Sequence, residues 1–594
     1  MAKNTVKQDE DLKKVSNTEI TKRLFSYLKS YKLKVFIVVL LLIFVMVVNI
    51  INPYLLKVAI DVNIKNNNVS GLLIIGAAMI ILNFIAMIAS RIRIIKMASI
   101  TNDILLKIRH DLYTHIQKLS FSFFDNRPVG KILARVIGDV NSLQELFNNS
   151  VTNFIPQILT VICVGAMMFY LNFKLALASI ILLPILAFCM FSIETFSRKR
   201  WQNYRKKRST FNAYTHEDFS GIRVVQAFAN EEKTSKTFLK LVKDMMDGFI
   251  SAVRLNDLFW PLVDTSWGLG MVIVYWYSAK LMGSHSITIG TIIAFTMYIG
   301  MFWRPILEIS NFYNTLVMNF AAAERIFEIM DIEPDIIDIQ NAVKMPKIKG
   351  TVEFKNVTFG YEDAVVLNNV SFKINPGETI ALVGPTGAGK TTIVNLISRF
   401  YDANEGEVLI DGKNVKNVDL ESLRSQMGIM LQDTFLFSTT IKENIRYGKL
   451  DATDEEVIAA AKAVNAHEFI MNLENGYDTE VNERGSRLSV GQRQLISFAR
   501  ALLANPRILI LDEATSNIDT FTEKLVQKGI QKLLHGRTSF VIAHRLSTIR
   551  DCDKIMVVDD GQIVEAGTHD ELMKLGGLYN NLYMSQYKFL SEGA

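Results

Sequence analysis

Cysteine is scarce: Cys163, Cys189 and Cys552 are the three thiols of a 594-residue chain. They lie far apart and form no CxxC pair, which excludes a disulfide framework and a thiolate zinc site and suits reduced thiols. An excess of one charge is missing too. Sixty-five Lys+Arg against 59 Asp+Glu leave +6, too mild to mark a nucleic-acid partner. Charged residues make up 21% and hydrophobic ones 49%, which excludes a disordered or collagen-like chain. The length exceeds one ordinary compact domain, and composition shifts along it. Long apolar runs all precede about residue 310; the remainder of the chain reads as a soluble α/β protein.

A bilayer core takes roughly 20 apolar residues of helix. Six such runs fall at about 34–56, 71–91, 150–171, 173–197, 256–280 and 286–310. Asn172, Phe173 and Lys174 alone separate the third from the fourth, and the last two carry Asp264, Arg304 and Glu308. With the first thirty residues polar, no cleaved signal peptide is expected. Within this 1–32 tail, Leu24, Phe25 and Leu28 share a helical face among Lys22, Arg23 and Lys29, the pattern of a short helix lying on a membrane surface. Lys and Arg crowd the segments after spans two and four, from Arg91 to Arg135 and from Arg198 to Arg208. The opposite loops carry little beyond Lys65, Lys174 and Lys280. That asymmetry places both termini and both long loops in the cytoplasm of a multi-pass protein of the cell (inner or plasma) membrane.

Gly and Pro hardly punctuate those two long segments, which show helical periodicity. Each therefore reads as two helices continuing out of the bilayer, joined by a turn at Phe121–Gly130 in the first and Asn212–Ile222 in the second. The 33–330 region is thus a helical transmembrane domain. Asp264 at bilayer depth either faces a cavity, favouring cationic amphiphiles, or pairs with another helix or the interface. Arg304 and Glu308 read as an i,i+4 pair. Trp276, Tyr277, Met297, Tyr298, Met301, Phe302 and Trp303 either form an adaptable apolar lining or face lipid.

A polar linker, 331–350, holds Pro334 and Pro346. From 351 to 594 short β-rich runs alternate with helices, as in a parallel sheet. Thr379–Val383 reads as a strand, followed by Gly384, Pro385, Thr386, Gly387, Ala388, Gly389, Lys390 and Thr391, then the apolar helix from Thr392. This is a complete GxxxxGK[ST] between strand and helix. Its glycines let backbone N–H groups close on phosphate, Lys390 reaches the outer phosphates, and Thr391 ligates Mg²⁺. Downstream, Ile508 to Leu511 form a buried strand ending in Asp512 and Glu513, at the carboxyl end where open α/β sheets bind ligands. Asp512 there holds Mg²⁺ through water, and Glu513 polarises the attacking water.

Leu488-Ser489-Val490-Gly491-Gln492, just before the helix Arg493–Leu503, completes the pattern. Together with the P-loop and Asp512-Glu513 it resembles the ATP-binding cassette (ABC) signature, usually LSGGQ. With six spans fused in front, the chain is similar to an ABC exporter half-transporter of the multidrug or lipid type. The resemblance implies a helical transmembrane domain plus an α/β P-loop nucleotide-binding domain that hydrolyses ATP with Mg²⁺. It implies that Tyr361 stacks on adenine, that Thr392 lies at the nucleotide, that Gln432 links Mg²⁺ to the transmembrane part, and that Asp519 belongs to a loop crossing to the other cassette. His544 matches the histidine at the γ-phosphate, and Asn482-Glu483-Arg484-Gly485 the loop that touches the helices protruding from the membrane.

In this family ATP lies between the P-loop of one cassette and the signature helix of another, so Ser489, Gly491 and Gln492 face a partner's nucleotide. Six spans and one cassette then imply a dimer in the bilayer. Val490 departs from the pattern: a β-branched residue resists φ > 0 and adds bulk beside the phosphate. Family heterodimers typically pair an altered signature and intact Glu in one subunit with a partner lacking that Glu. The expectation is such a heterodimer, with a homodimer tolerating Val490 as the alternative. The cargo expected is a small lipophilic or amphiphilic compound, or a lipid; the lack of a leading peptidase domain argues against dedicated peptide processing.

Overall fold

The computed structural model describes residues 16–150, 154–181, 183–283, 287–361, 364–430, 434–482, 485, 487–513, 520–543 and 549–591. They divide into two compact units, 1–116 with 130–331, and 117–129 with 332–594.

The first unit is helical. Ser16 caps the helix Asn17–Lys29, accepting from the Glu19 amide. The helix Lys32–Val58 runs on through the π-turn Ala59–Ile64, and Val69–Lys118 is a single helix of 50 residues. After Val129–Ala134 and the π-turn Arg135–Asp139 come Val140–Asn149, Ile155–Leu171, Phe173–Ile180, Leu183–Ser220, Ile222–Ala227, Glu231–Asn256, Phe259–Gly283 and Ile289–Met330. Among the described residues two stretches, Lys32–Ile64 and Val69–Lys118, are long and apolar enough to cross a membrane by length and composition. The other apolar runs also lie on helices, but Ile155–Leu171 and Ile289–Phe302 are shorter apolar segments. Leu33, Leu73, Ile74 and Ile80 are exposed; such apolar outer faces suit lipid, where helices satisfy their own backbone.

Ile289–Met330 is the hub of this unit. Thr288 caps it, while Asp61, on the first π-turn, accepts from the Gly290 amide at 2.9 Å and the Thr288 hydroxyl at 2.5 Å. Further along, the buried Tyr298 hydroxyl donates to the Ile50 carbonyl at 2.6 Å. Asp139, on the second π-turn, accepts from Arg325 Nε and Nη2 at 2.9 and 2.5 Å. Finally Arg23 grips both Asp331 oxygens at 2.7 and 2.9 Å. Each π-turn re-aims one helical position, and here each presents an aspartate to the hub helix.

Two expectations change. The aromatic residues of the last spans are not one lining: Tyr298 and Phe302 are buried among Val164, Met168 and Phe295, whereas Trp276 and Met297 are exposed. Glu308 takes the side-chain amide of Gln157, while its expected pairing with Arg304 falls outside the described residues, which do not include the Arg304 side chain. The second turn starts later, because Leu183–Ser220 passes through the helix-compatible Asn212–Ser220 and stops at Gly221.

The second unit holds two sheets. β1 (Val352–Tyr361), β2 (Ala364–Ile374), β4 (Glu405–Ile410) and β5 (Lys413–Asn414) form an antiparallel sheet ordered β2-β1-β4-β5. β3 (Thr379–Val383), β6 (Met427–Met430), β7 (Ile508–Glu513), β8 (Thr538–Ala543), β9 (Lys554–Asp559) and β10 (Gln562–Gly567) form the other, ordered β10-β9-β3-β8-β7-β6. It is parallel except that β10 runs against β9. The period of two along a strand splits its central residues between two cores. Leu509, Leu511, Val541 and Val557 face one side; Ile508, Ile510, Phe540 and Met556 face the other. Burial on both faces explains the unbroken aliphatic run Ile508–Leu511 that marks β7 in the sequence.

Candidate nucleotide site

β3 ends at Val383 and the chain turns through Gly384–Gly389 into the helix Lys390–Ile397. Gly384, Gly387 and Gly389 have φ of +151°, +88° and +108°. Gly384 also forbids a side chain, and Gly389 crowds one. A Cβ on Gly384 would lie 2.0 Å from the Val558 carbonyl oxygen, and one on Gly389 2.7 Å from Leu367 Cδ2. The loop is therefore held close against β9 and β2, its N–H groups gathered at the start of a helix, an arrangement suited to an anion.

Lys390 is 9% exposed. Its ammonium donates to the carbonyls of Gly384 and Pro385, both at 2.8 Å. Burial lowers its pKa, and the nearby Asp512 carboxylate opposes that shift. A buried cation held by the P-loop, with a carboxylate close by, fits a polyphosphate carrying a divalent cation. Thr391 is exposed beside it and Thr392 is buried.

β7 lies two strands from β3, with β8 between, so Asp512 and Glu513 end their strand on the P-loop side of a parallel sheet. In register, Asp512 pairs with Ile542 and Glu513 with Ala543, the residue before His544. His544, Gln432, Asp519, Glu483 and Arg484 lie outside the described residues, as does the Glu513 side chain. Asn482 lines a cleft with Ser438, Thr439, Thr440 and Glu480.

The Tyr361 ring ends β1. Its hydroxyl lies 3.4 Å from Thr392 Oγ1 and accepts from Asn395 Nδ2 at 3.4 Å, which ties it to the P-loop helix. Tyr401 meets it edge-on, ring centroids 5.1 Å apart. The sequence alone does not single out Tyr401; the packing of β1 against the end of the P-loop helix brings it there.

Ser489 caps the signature helix Val490–Ala504 through a capping box: its Oγ accepts from the Gln492 amide and Gln492 Oε1 accepts from the Ser489 amide. The Gln492 side chain is thus turned back on its own helix, while the Ser489 hydroxyl keeps its proton to donate. Val490 corrects one expectation. It is the first helical residue and is not among the left-handed residues, so its β-branch meets no φ > 0 there. What remains is bulk: Val490 is 39% exposed at the helix start.

Known proteins share this arrangement. The family described as ABC transporter transmembrane region matches residues 35–306, and that described as ABC transporter matches residues 367–516. The chain is 45% identical over 590 residues to the uncharacterized ABC transporter ATP-binding protein YknV of Bacillus subtilis, covering 98% of this chain and 97% of that protein. It is 39% identical over 538 residues to an ATP-dependent lipid A-core flippase of Syntrophus aciditrophicus, covering 90% and 89%. It is 40% identical over 575 residues to the putative multidrug export ATP-binding/permease protein YgaD of Bacillus subtilis, covering 96% and 99%. A bacterial Atm1-family ABC exporter solved with ATP bound shares the fold at a TM-score of 0.76 and 29% identity, covering 93% of this chain and 98% of that one. The chain therefore belongs to the ABC transporter family, as a membrane-embedded exporter half-transporter with its ATPase cassette in the same polypeptide.

Proposed function

We propose that this chain exports lipophilic or amphiphilic compounds of the multidrug type, using Mg-ATP, as the Glu-bearing half of a heterodimer with twelve spans. The buried Lys390 ammonium, cradled by P-loop carbonyls and close to Asp512, is the observation that carries the ATPase part.

Tyr361 stacks on the base; Gly384 to Thr392 enclose the phosphates, with Lys390 on the outer ones. Thr391, Gln432 and, through water, Asp512 would hold Mg²⁺, which would supply charge to offset that developing on the phosphates. Glu513 orients water, His544 contacts the γ-phosphate, and Ser489, Gly491, Gln492 and Asp519 close the partner's nucleotide. Both termini and the cassette lie in the cytoplasm, as the positive charge distribution supports. Two bound nucleotides draw the cassettes together, and hydrolysis releases them, so the membrane half alternates between two states.

Relatives named for multidrug export and for lipid A-core flipping set the two cargo classes to be compared. The experiment is reconstitution of the chain alone and with each candidate partner half-transporter. Expected are ATPase activity that needs a partner and efflux of a lipophilic cationic dye from cells. Robust turnover by the chain alone overturns the heterodimer, and transport of labelled lipid in vesicles without dye efflux replaces the multidrug reading with a flippase.

A further inference from the structure

The segment Phe121–Asp125 is a five-residue helix within the same compact unit as the cassette. Two consecutive residues hold its two ends. The Phe400 ring packs on Phe121, centroids 4.2 Å apart, and the Tyr401 hydroxyl donates to the Asp125 carboxylate. The Phe400 side is fixed: the Arg424 guanidinium covers that ring 5.2 Å from its centroid and donates to the Arg399 carbonyl at 2.7 Å. Just before the helix, Ser120 donates to Asp335 of the linker at 2.8 Å.

The Tyr401 side leads to the nucleotide site. Its ring touches Tyr361 at 5.1 Å and 89°, and Phe359 at 5.6 Å, while Phe359 meets Tyr361 at 4.9 Å. The three rings close a triangle in edge-to-face or tilted contact, the arrangement aromatic quadrupoles prefer. A tilt of Tyr361 therefore bears on the Tyr401 edge. Burial and the neighbouring Asp125 carboxylate push the Tyr401 hydroxyl's pKa up, so it stays a proton donor throughout the working range and its link to Asp125 persists.

We propose that Tyr401 is a positioning residue that transmits occupation of the base site at Tyr361 to the segment Phe121–Asp125. The proposal rests on the ATP reading of Tyr361. With the Phe121 end pinned by Phe400 and Arg424, a shift of Tyr401 pulls on Asp125 alone and so rotates the short helix about its first residue. The cassette thereby signals the presence of a base, and not only of phosphate, to the chain leading back toward the helix Val69–Lys118.

The test uses the full-length protein in lipid nanodiscs with a non-hydrolysable ATP analogue, reading hydrogen–deuterium exchange across 117–129 and displacement of a fluorescent nucleotide. In the wild type the analogue slows exchange across this segment by at least about threefold, and inorganic tripolyphosphate does not. Y401F and D125N keep analogue affinity within about twofold and lose the slowing; the double variant loses no more than either, the sign of one shared interaction. D125E restores part of it, which a purely structural role would not produce. Y361A, by contrast, weakens the analogue at least about fivefold through lost stacking. Retained slowing in Y401F, slowing by tripolyphosphate, or a Y401F affinity loss equal to that of Y361A overturns the relay. A wild type that displaces no nucleotide overturns the ATP reading and the relay with it.

Discussion

Asp61 closes the N-terminus of the helix Ile289–Met330 by accepting from the Gly290 amide at 2.9 Å. The contact needs a glycine for space, not for φ: a Cβ at 290 would lie 2.6 Å from Asp61 Oδ1 and 2.8 Å from the Lys57 carbonyl. It also places a carboxylate at the positive end of a long helix.

Gly290→Ala is therefore expected to destabilise the protein by about 1–3 kcal/mol, the usual cost of overpacking. Asp61→Ala should cost about 1 kcal/mol, as lost caps do. The double variant should cost less than the sum, because Asp61→Ala removes part of the clash. Thermal unfolding followed by tryptophan fluorescence in detergent checks this; a G290A protein as stable as the wild type refutes the close approach.

Lys390 and Glu513 should fail differently. Lys390→Ala leaves the P-loop without its buried cation and should weaken nucleotide binding. Glu513→Gln, at the end of β7, should keep nucleotide binding and lower hydrolysis by about 10²–10⁴-fold, the range for a lost general base. Equilibrium binding and phosphate release, measured side by side, separate the two; steady turnover in E513Q contradicts the role given to Glu513.

These contrasts rest on features legible in the sequence because they are local. The glycine spacing of the P-loop, the aliphatic run Ile508–Leu511 and the Leu488–Gln492 signature are each written within a few consecutive residues. The turn at Phe121–Gly130 is legible because Asn126 and Pro128 interrupt the helical pattern between Phe121–Asp125 and Val129–Ala134. Features that depend on distant partners are hidden. Nothing in Ala59–Ile64 or Arg135–Asp139 announces a π-turn, since each is stabilised through an aspartate that reaches the helix Ile289–Met330 from far along the chain. Tyr401 gains its place between Tyr361 and Asp125 only when β1, the end of the P-loop helix and the segment 117–129 meet. Val490 defeats a reading by residue type because helix N1 geometry, not a left-handed turn, governs that position.

Two buried tyrosines give the cassette an alkaline limit. Tyr477 and Tyr579 are 9% and 1% exposed, with hydroxyls 2.9 and 2.8 Å from the Nδ1 atoms of His467 and His569. Burial pushes both pKa values up to about 12. The fold favours their neutral forms, so their contribution is fully present below the ordinary tyrosine value near 10. It is lost as pH rises from there through about 12, where the unfolded chain has released protons the folded one keeps. Stability should fall over that window by up to about 1.4 kcal/mol per pH unit for each tyrosine. Denaturant unfolding from about pH 9 to about pH 11.5, a range that brackets the ordinary tyrosine value, measures it, and the Tyr477→Phe, Tyr579→Phe double variant should flatten the slope. An unchanged slope in that variant assigns the alkaline limit to other groups.

Val490 offers the sharpest test of pairing. Because it occupies the first helical position with ordinary backbone, replacing it with glycine costs the fold at most about 1 kcal/mol, too little to impair activity through instability. Any functional change then reports on the exposed side chain where a partner's nucleotide would lie. If its bulk is what weakens the second composite site, Val490→Gly should tighten nucleotide there by at least about threefold, equivalent to roughly 0.7 kcal/mol, with turnover little changed because the partner's site lacks the glutamate base. Val490→Leu, which keeps the bulk without the β-branch, should leave that binding weak. Equilibrium nucleotide binding to the reconstituted dimer, with ATPase measured beside it, decides it. Equal affinity in the valine, glycine and leucine proteins would show that this side chain does not touch the nucleotide, and a rise in turnover with Val490→Gly would reveal a general base opposite it, as in a symmetric homodimer.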